Sequence, residues 1–265
     1  MGSPYGALAG AKVRSLASAP GLLVLRSAGD VFIVTMEALA PLLLVSQFGS
    51  IAGWSGPEVA MLIGVARTGE GLALIVGRGI DPNTFGDTVR LGRFDQILTR
   101  PVSPLLWLLT SDVELRFVFR AAAGAGVVGW SAHRLSVLSP GTAVVLAAAA
   151  VASALFVLST LVIGAAVTFR TVEGSDFAVL LSNGGMGLAA FPLEVYSSAL
   201  RLIFTFLVPV GLCVYVPVLT VLDRDGPGVL GPGLLPVLPV VVGAFAGLSL
   251  LTWRQGIRHY ESTGS

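Results

Sequence analysis

The chain alternates long apolar runs with short polar breaks, and the runs have the length of membrane helices. A helix needs about 20 apolar residues to cross a bilayer core. Val31–Gly49 meets this with Glu37 inside it, and Pro57–Gly77 meets it with Arg67 and Glu70 inside. Pro104–Trp130 is long, with Asp112, Glu114, Arg116 and Arg120 in its first half. Ala143–Phe169 has no charge, Phe177–Phe191 is shorter and glycine-rich, and Leu234–Trp253 is the last clear run. The pattern predicts an all-α integral membrane fold with six spans. Residues 5–28, broken by Pro20 and Arg26, are expected to form an interfacial helix rather than a cleaved signal.

One run does not fit a straight span. Leu202–Leu222 is uncharged and long enough to cross, yet it contains Pro209 and Pro217. Proline removes a backbone donor and clashes with the preceding turn. Residues 193–222 are therefore expected to be a re-entrant helical hairpin between the fifth and sixth spans, with a kinked span as the alternative. Arginine placement agrees, because Arg and Lys favour the cytoplasmic side. Lys12, Arg14 and Arg26 precede the first run; Arg78, Arg90, Arg93 and Arg100 lie between the second and third; Arg170 follows the fourth; Arg254 and Arg258 follow the last. Both termini are expected to be cytoplasmic, which needs an even number of crossings.

Composition supports a membrane protein and narrows its chemistry. The chain is 54% hydrophobic and only 12% charged, against roughly 25% charged residues in a soluble domain. Its net charge of +1 gives no sign of nucleic-acid binding. One cysteine, Cys213, and two distant histidines, His133 and His259, argue against a disulfide or a metal cluster. No GxxxxGK[ST], HExxH or GxSxG occurs, so the chain has no phosphate loop, zinc-protease helix or nucleophile elbow. Neither a catalytic residue nor a cofactor is expected within it.

Two groups of residues have functional potential. Residues 78–103 form a polar cytoplasmic connection. Gly92 allows a turn, Phe94–Leu98 fit a short helix, Pro101 ends it, and Ser103 with Pro104 starts the next helix. The other group is Glu37, Arg67 and Glu70. A charge at bilayer depth pairs or faces a cavity, and Arg67 and Glu70, three residues apart, share a helix face. The two readings are an internal ion pair and the lining of a translocation path.

The order of these features resembles the permease subunit of bacterial ABC transporters of the type-2 exporter class. The local matches are GWSGPEV (53–59), GRFDQILTRPVSPL (92–105), FPLEVYSSALRLIFTFLVPVGLCVYVPVL (191–219) and RQGIRHYESTGS (254–265). They point to the branch described as ABC-2 family transporter protein. The resemblance implies two copies of a separate ATPase subunit that bind ATP and Mg. It also implies a second permease, expected to be a different chain, in the bacterial cytoplasmic membrane among its lipids. It makes Phe94, Asp95, Gln96, Arg100 and Pro101 candidates for contact with the ATPase. Pro192, Tyr196, Arg201 and Pro209 become candidates for an outward gate, although anchoring is the simpler role for each. The competing function is a self-contained secondary transporter or channel that uses Glu37 or Glu70.

Overall fold

The computed structural model describes residues 20–169, 187 and 190–260, and among these every regular element is helical. α1 spans Pro20–Phe48 and α2 spans Gly56–Gly77, which a single 3₁₀ turn, Arg78–Ile80, carries on. α3 (Pro82–Arg90) and α4 (Arg93–Leu98) form the connection between α2 and the helices that follow. α5 (Pro104–Ser111), α6 (Arg116–Arg134) and α7 (Pro140–Thr168) follow. A bent helical region then holds α8 (Ser198–Leu202), a π turn at Ile203–Leu207, α9 (Val210–Cys213) and α10 (Tyr215–Leu222). A 3₁₀ turn, Pro232–Val237, leads into α11 (Leu238–Arg258).

α2 is the hub. It packs against α6, α7 and α1, while α7 also carries α11, α9 and α10. Close crossing depends on small residues. A Cβ on Gly64 of α2 would lie 2.9 Å from the Gly124 carbonyl oxygen of α6, and one on Gly71 would lie 2.6 Å from the Ala121 amide nitrogen. Missing side chains let the two backbones touch, as expected of tight membrane helix pairs. Of the GAG run at 124–126, Gly124 makes this contact, whereas Gly126 faces open space.

Four described helical stretches are long and apolar enough to cross a membrane: Gly21–Phe48, Gly56–Arg90, Pro140–Thr168 and Pro232–Arg258. A fifth arises if Ser198–Leu207 and Val210–Leu222, bent by 74° at their junction, count as one. The expected fifth span, Phe177–Phe191, falls almost wholly outside the described residues. So do residues 5–19 of the expected interfacial helix; its remaining residues, 20–28, run without a break into α1.

One expectation needs correction. Pro104–Trp130 is not one helix. It breaks at residues 112–115, where the Glu114 amide donates to the Ile75 carbonyl at 3.1 Å instead of to its own helix. The break frees Glu114 and Arg116 to reach other helices. Within residues 202–222 the helix is interrupted at Val208–Pro209 and at Val214, beside Cys213, whose carbonyl Pro217 has no N–H to reach.

Candidate functional site

Arg67 and Glu70 lie one turn apart on α2, and the structure brings both to the α1–α2–α6 junction. Arg67 is bidentate to Glu37 of α1, with Nε to Oε2 at 2.5 Å and Nη2 to Oε1 at 2.9 Å. Its Nη1 donates to Glu70 Oε2 at 2.5 Å. The other oxygen of Glu70 accepts from Arg120 Nη1 at 3.0 Å. Arg120 in turn donates from Nε to Asp30 Oδ1 at 3.1 Å, and Arg116 Nη1 reaches Asp30 Oδ2 at 3.5 Å. Arg116 Nε donates to Glu114 at 2.6 Å, and Glu114 faces Arg26 at 3.9 Å.

These eight side chains form one linear series of strictly alternating sign: Arg26, Glu114, Arg116, Asp30, Arg120, Glu70, Arg67, Glu37. Four guanidinium groups balance four carboxylates. The series follows α1 for eleven residues, about 16 Å at the helical rise. Its middle is closed to solvent, with Asp30 3% and Glu70 8% exposed, while Glu37 at the inner end is 35% exposed. A lone charge at bilayer depth costs about 3 kcal/mol or more, and alternation leaves no member alone.

The connection between α2 and α5 has an inner and an outer face. Phe94, wholly buried, sits among Phe85 of α3, Phe169 at the end of α7, Trp253 of α11 and Tyr260. Its ring centroid lies 5.0 Å from that of Phe169, 5.2 Å from that of Tyr260 and 5.6 Å from that of Phe85. Edge-to-face pairs of this kind add about 1 kcal/mol each beyond their buried area. Gly92 adopts φ +66°, a left-handed turn that sets α4 back against this cluster. Gln96, Arg93, Arg100 and Pro101 are exposed and Asp95 is half-buried. The Arg100 guanidinium stacks 3.9 Å from the Trp107 ring centroid.

A third cluster ties the α1–α2 loop to the bent α8–α10 region and its flanks. The Trp54 indole N–H donates to Glu194 Oε1 at 3.0 Å, and the Tyr215 hydroxyl donates to the same oxygen at 2.5 Å. Arg224 donates to Glu58 at 2.9 Å and to the Gly53 carbonyl at 3.1 Å, with its guanidinium 4.7 Å from the Trp54 ring centroid. Pro192 is buried at the start of the turn that carries Glu194, and Pro209 is buried at the bend. Arg201 folds back to the Tyr196 carbonyl at 3.1 Å. Glu194→Ala is expected to cost about 2–4 kcal/mol by leaving two donors without their acceptor, and Glu194→Gln about 1 kcal/mol. Melting temperatures in detergent test both.

A family profile described as ABC-2 family transporter protein matches residues 31–264. The chain belongs to that family. Searches among curated proteins and among solved structures gave no match.

As an ABC-2 family transporter protein the chain is an integral membrane permease. Glu37, Arg67 and Glu70 do come together, but as half of a larger series. Asp30, Arg116 and Arg120 were not legible as their partners, because nothing local links Asp30 to residues some 90 positions later. Phe94 differs from the other coupling candidates in facing inwards. Trp54, Glu58, Glu194 and Arg224 were missed as a group, although GWSGPEV and FPLEV each contain members of it.

Proposed function

We propose that the chain is the permease subunit of an ATP-driven exporter in a bacterial cytoplasmic membrane. It crosses six times, with the bent α8–α10 region re-entrant and both termini cytoplasmic. Two copies of a separate ATPase subunit, which hold ATP and Mg, dock on the outer face of residues 78–103. A second permease, a different chain, completes the pathway. One observation carries the reading: the connection between α2 and α5 is a helical piece clamped by Phe94 to the C-terminal ends of α7 and α11, with its other face exposed. A push on that face moves two long helices as well as the connection itself.

Roles within the connection divide accordingly. Arg93, Gln96, Arg100 and Pro101 meet the ATPase, Asp95 borders the contact, and Phe94 transmits. The competing carboxylate-coupled transporter gains no support, because Glu37 and both oxygens of Glu70 are held by guanidinium groups.

Isolation from native membranes in mild detergent is expected to recover a stoichiometric ATP-binding protein. Its reproducible absence, together with transport by this chain alone in vesicles, would overturn the proposal. Replacing Arg93 by Glu and Gln96 by Ala is expected to lower ATPase recovery by about tenfold, with membrane insertion intact, because opposed charge at a contact rim slows association.

A further inference from the structure

We propose that the cytoplasmic half of α1, residues 20–40, is a gate leaf that swings away from α2 and α6, with the alternating ion series as its clasp. This rests on the permease reading but not on the identity of the energy source.

The clasp is built to part on one side only. Arg67 and Arg120 each bridge an α1 carboxylate to Glu70, and Glu70 offers one oxygen to each. When α1 leaves, both guanidinium groups keep a carboxylate partner and α2 stays tied to α6 through Glu70. Arg116 likewise keeps Glu114. Neither wall of the cleft is left with a bare cation, so separation breaks Asp30 and Glu37 from their partners and little else that is charged; Arg26 faces Glu114 only across 3.9 Å.

Other contacts hold the leaf weakly. Few of its residues are buried: between 21 and 40 only Ser27, Asp30, Val34 and Ala38 are. The far end of α1 is fixed, however. Leu42 packs directly over Gly56, where a Cβ would lie 2.6 Å from Leu42 Cδ2, and Trp54 is wholly buried on Glu194.

Between the loose and the fixed halves stands Pro41. It has no N–H to donate to the Glu37 carbonyl, so α1 lacks one backbone bond just beyond the last ion pair. Prolines at such points are where helices bend. Hinge, clasp and leaf therefore lie in order along one helix.

The test is thiol labelling of the full chain in membranes. Val34 is wholly buried on α1 between Asp30 and Glu37, and Val59 is wholly buried on α2 near the fixed end. Cys213, the native thiol, is itself buried. In Val34→Cys, a water-soluble maleimide is expected to react slowly. Adding Glu37→Gln, alone or with Asp30→Asn, is expected to raise that rate by about tenfold or more, while Val59→Cys in the same backgrounds stays protected. Pro41→Ala restores the missing bond, leaves the clasp intact and is expected to lower the Val34→Cys rate. Equal rates at Val34→Cys with and without the clasp substitutions would overturn the proposal. So would a matching rise at Val59→Cys, which marks general loosening, or an unchanged rate with Pro41→Ala. None of these readings needs ATP or the partner subunit, so they stand apart from the co-purification result.

Discussion

Arg120→Gln is expected to be the most damaging single substitution in the ion series, lowering stability by about 3–5 kcal/mol. Arg120 serves both Asp30 and Glu70, the two least exposed carboxylates of the series. Without it, Asp30 keeps only Arg116 at 3.5 Å, and Glu70 keeps only Arg67. Two acids then stand in a poorly solvated junction with half their compensation gone. Glu37→Gln, at the half-exposed end, is expected to cost only about 1 kcal/mol. The melting temperature of the purified chain and the fraction remaining monodisperse in detergent measure both. Combining Arg120→Gln with Asp30→Asn is expected to recover part of the loss, because removing both partners leaves no buried charge alone.

Alternation adds a sharper expectation. Exchanging the members of an isolated pair restores the attraction. Exchanging Glu37 and Arg67 here places the new carboxylate beside Glu70, so the swap is expected not to rescue stability. Full rescue would show that the pairs act independently.

Phe94→Ala is expected to abolish most transport, by about tenfold or more, while the ATPase subunit still docks. The ring is wholly buried and touches four others, and deletion of a buried aromatic ring costs about 3–5 kcal/mol. The loss falls on the joint between the connection and the ends of α7 and α11. The exposed docking face keeps its residues. Stimulated ATP hydrolysis, transport and ATPase recovery, measured on one preparation, separate the outcomes: recovery intact with transport lost supports transmission through Phe94. Unchanged transport would remove Phe94 from the coupling path. Phe94→Leu, which keeps most of the volume, is expected to fall between the two.

Features with a local cause were legible in the sequence. The α4 helix, the turn at Gly92 and the start of α5 at Pro104 follow from glycine and proline placement, and all three appear where expected. The Arg67–Glu70 pair follows from helical spacing. The uncharged run that became α7 was bounded to within a few residues. Features that depend on chain-distant partners were not legible. A six-residue helix has too few turns for periodicity to say which face is buried, so Phe94 read as an outward contact. The break in the third run arises from a backbone bond to Ile75 on another helix, which no composition signal marks. Asp30, Glu194 and Arg224 carry no local signal of their role, because their partners come from other segments.

The ion series also constrains how the chain is made. α1 leaves the ribosome before α2 and α6, carrying Arg26, Asp30 and Glu37. The compensating arginine of α2 follows about 30 residues after Glu37, and those of α6 about 90 residues after Asp30. Until α6 has been synthesised, Asp30 has neither of its cations, and full insertion of α1 is unfavourable by several kcal/mol. Although made before its partners, α1 is therefore among the last of the described helices to reach its final depth. It waits at the headgroup level or beside the insertion machinery, and truncations that end before Arg120 should leave it peripheral and sensitive to alkaline extraction.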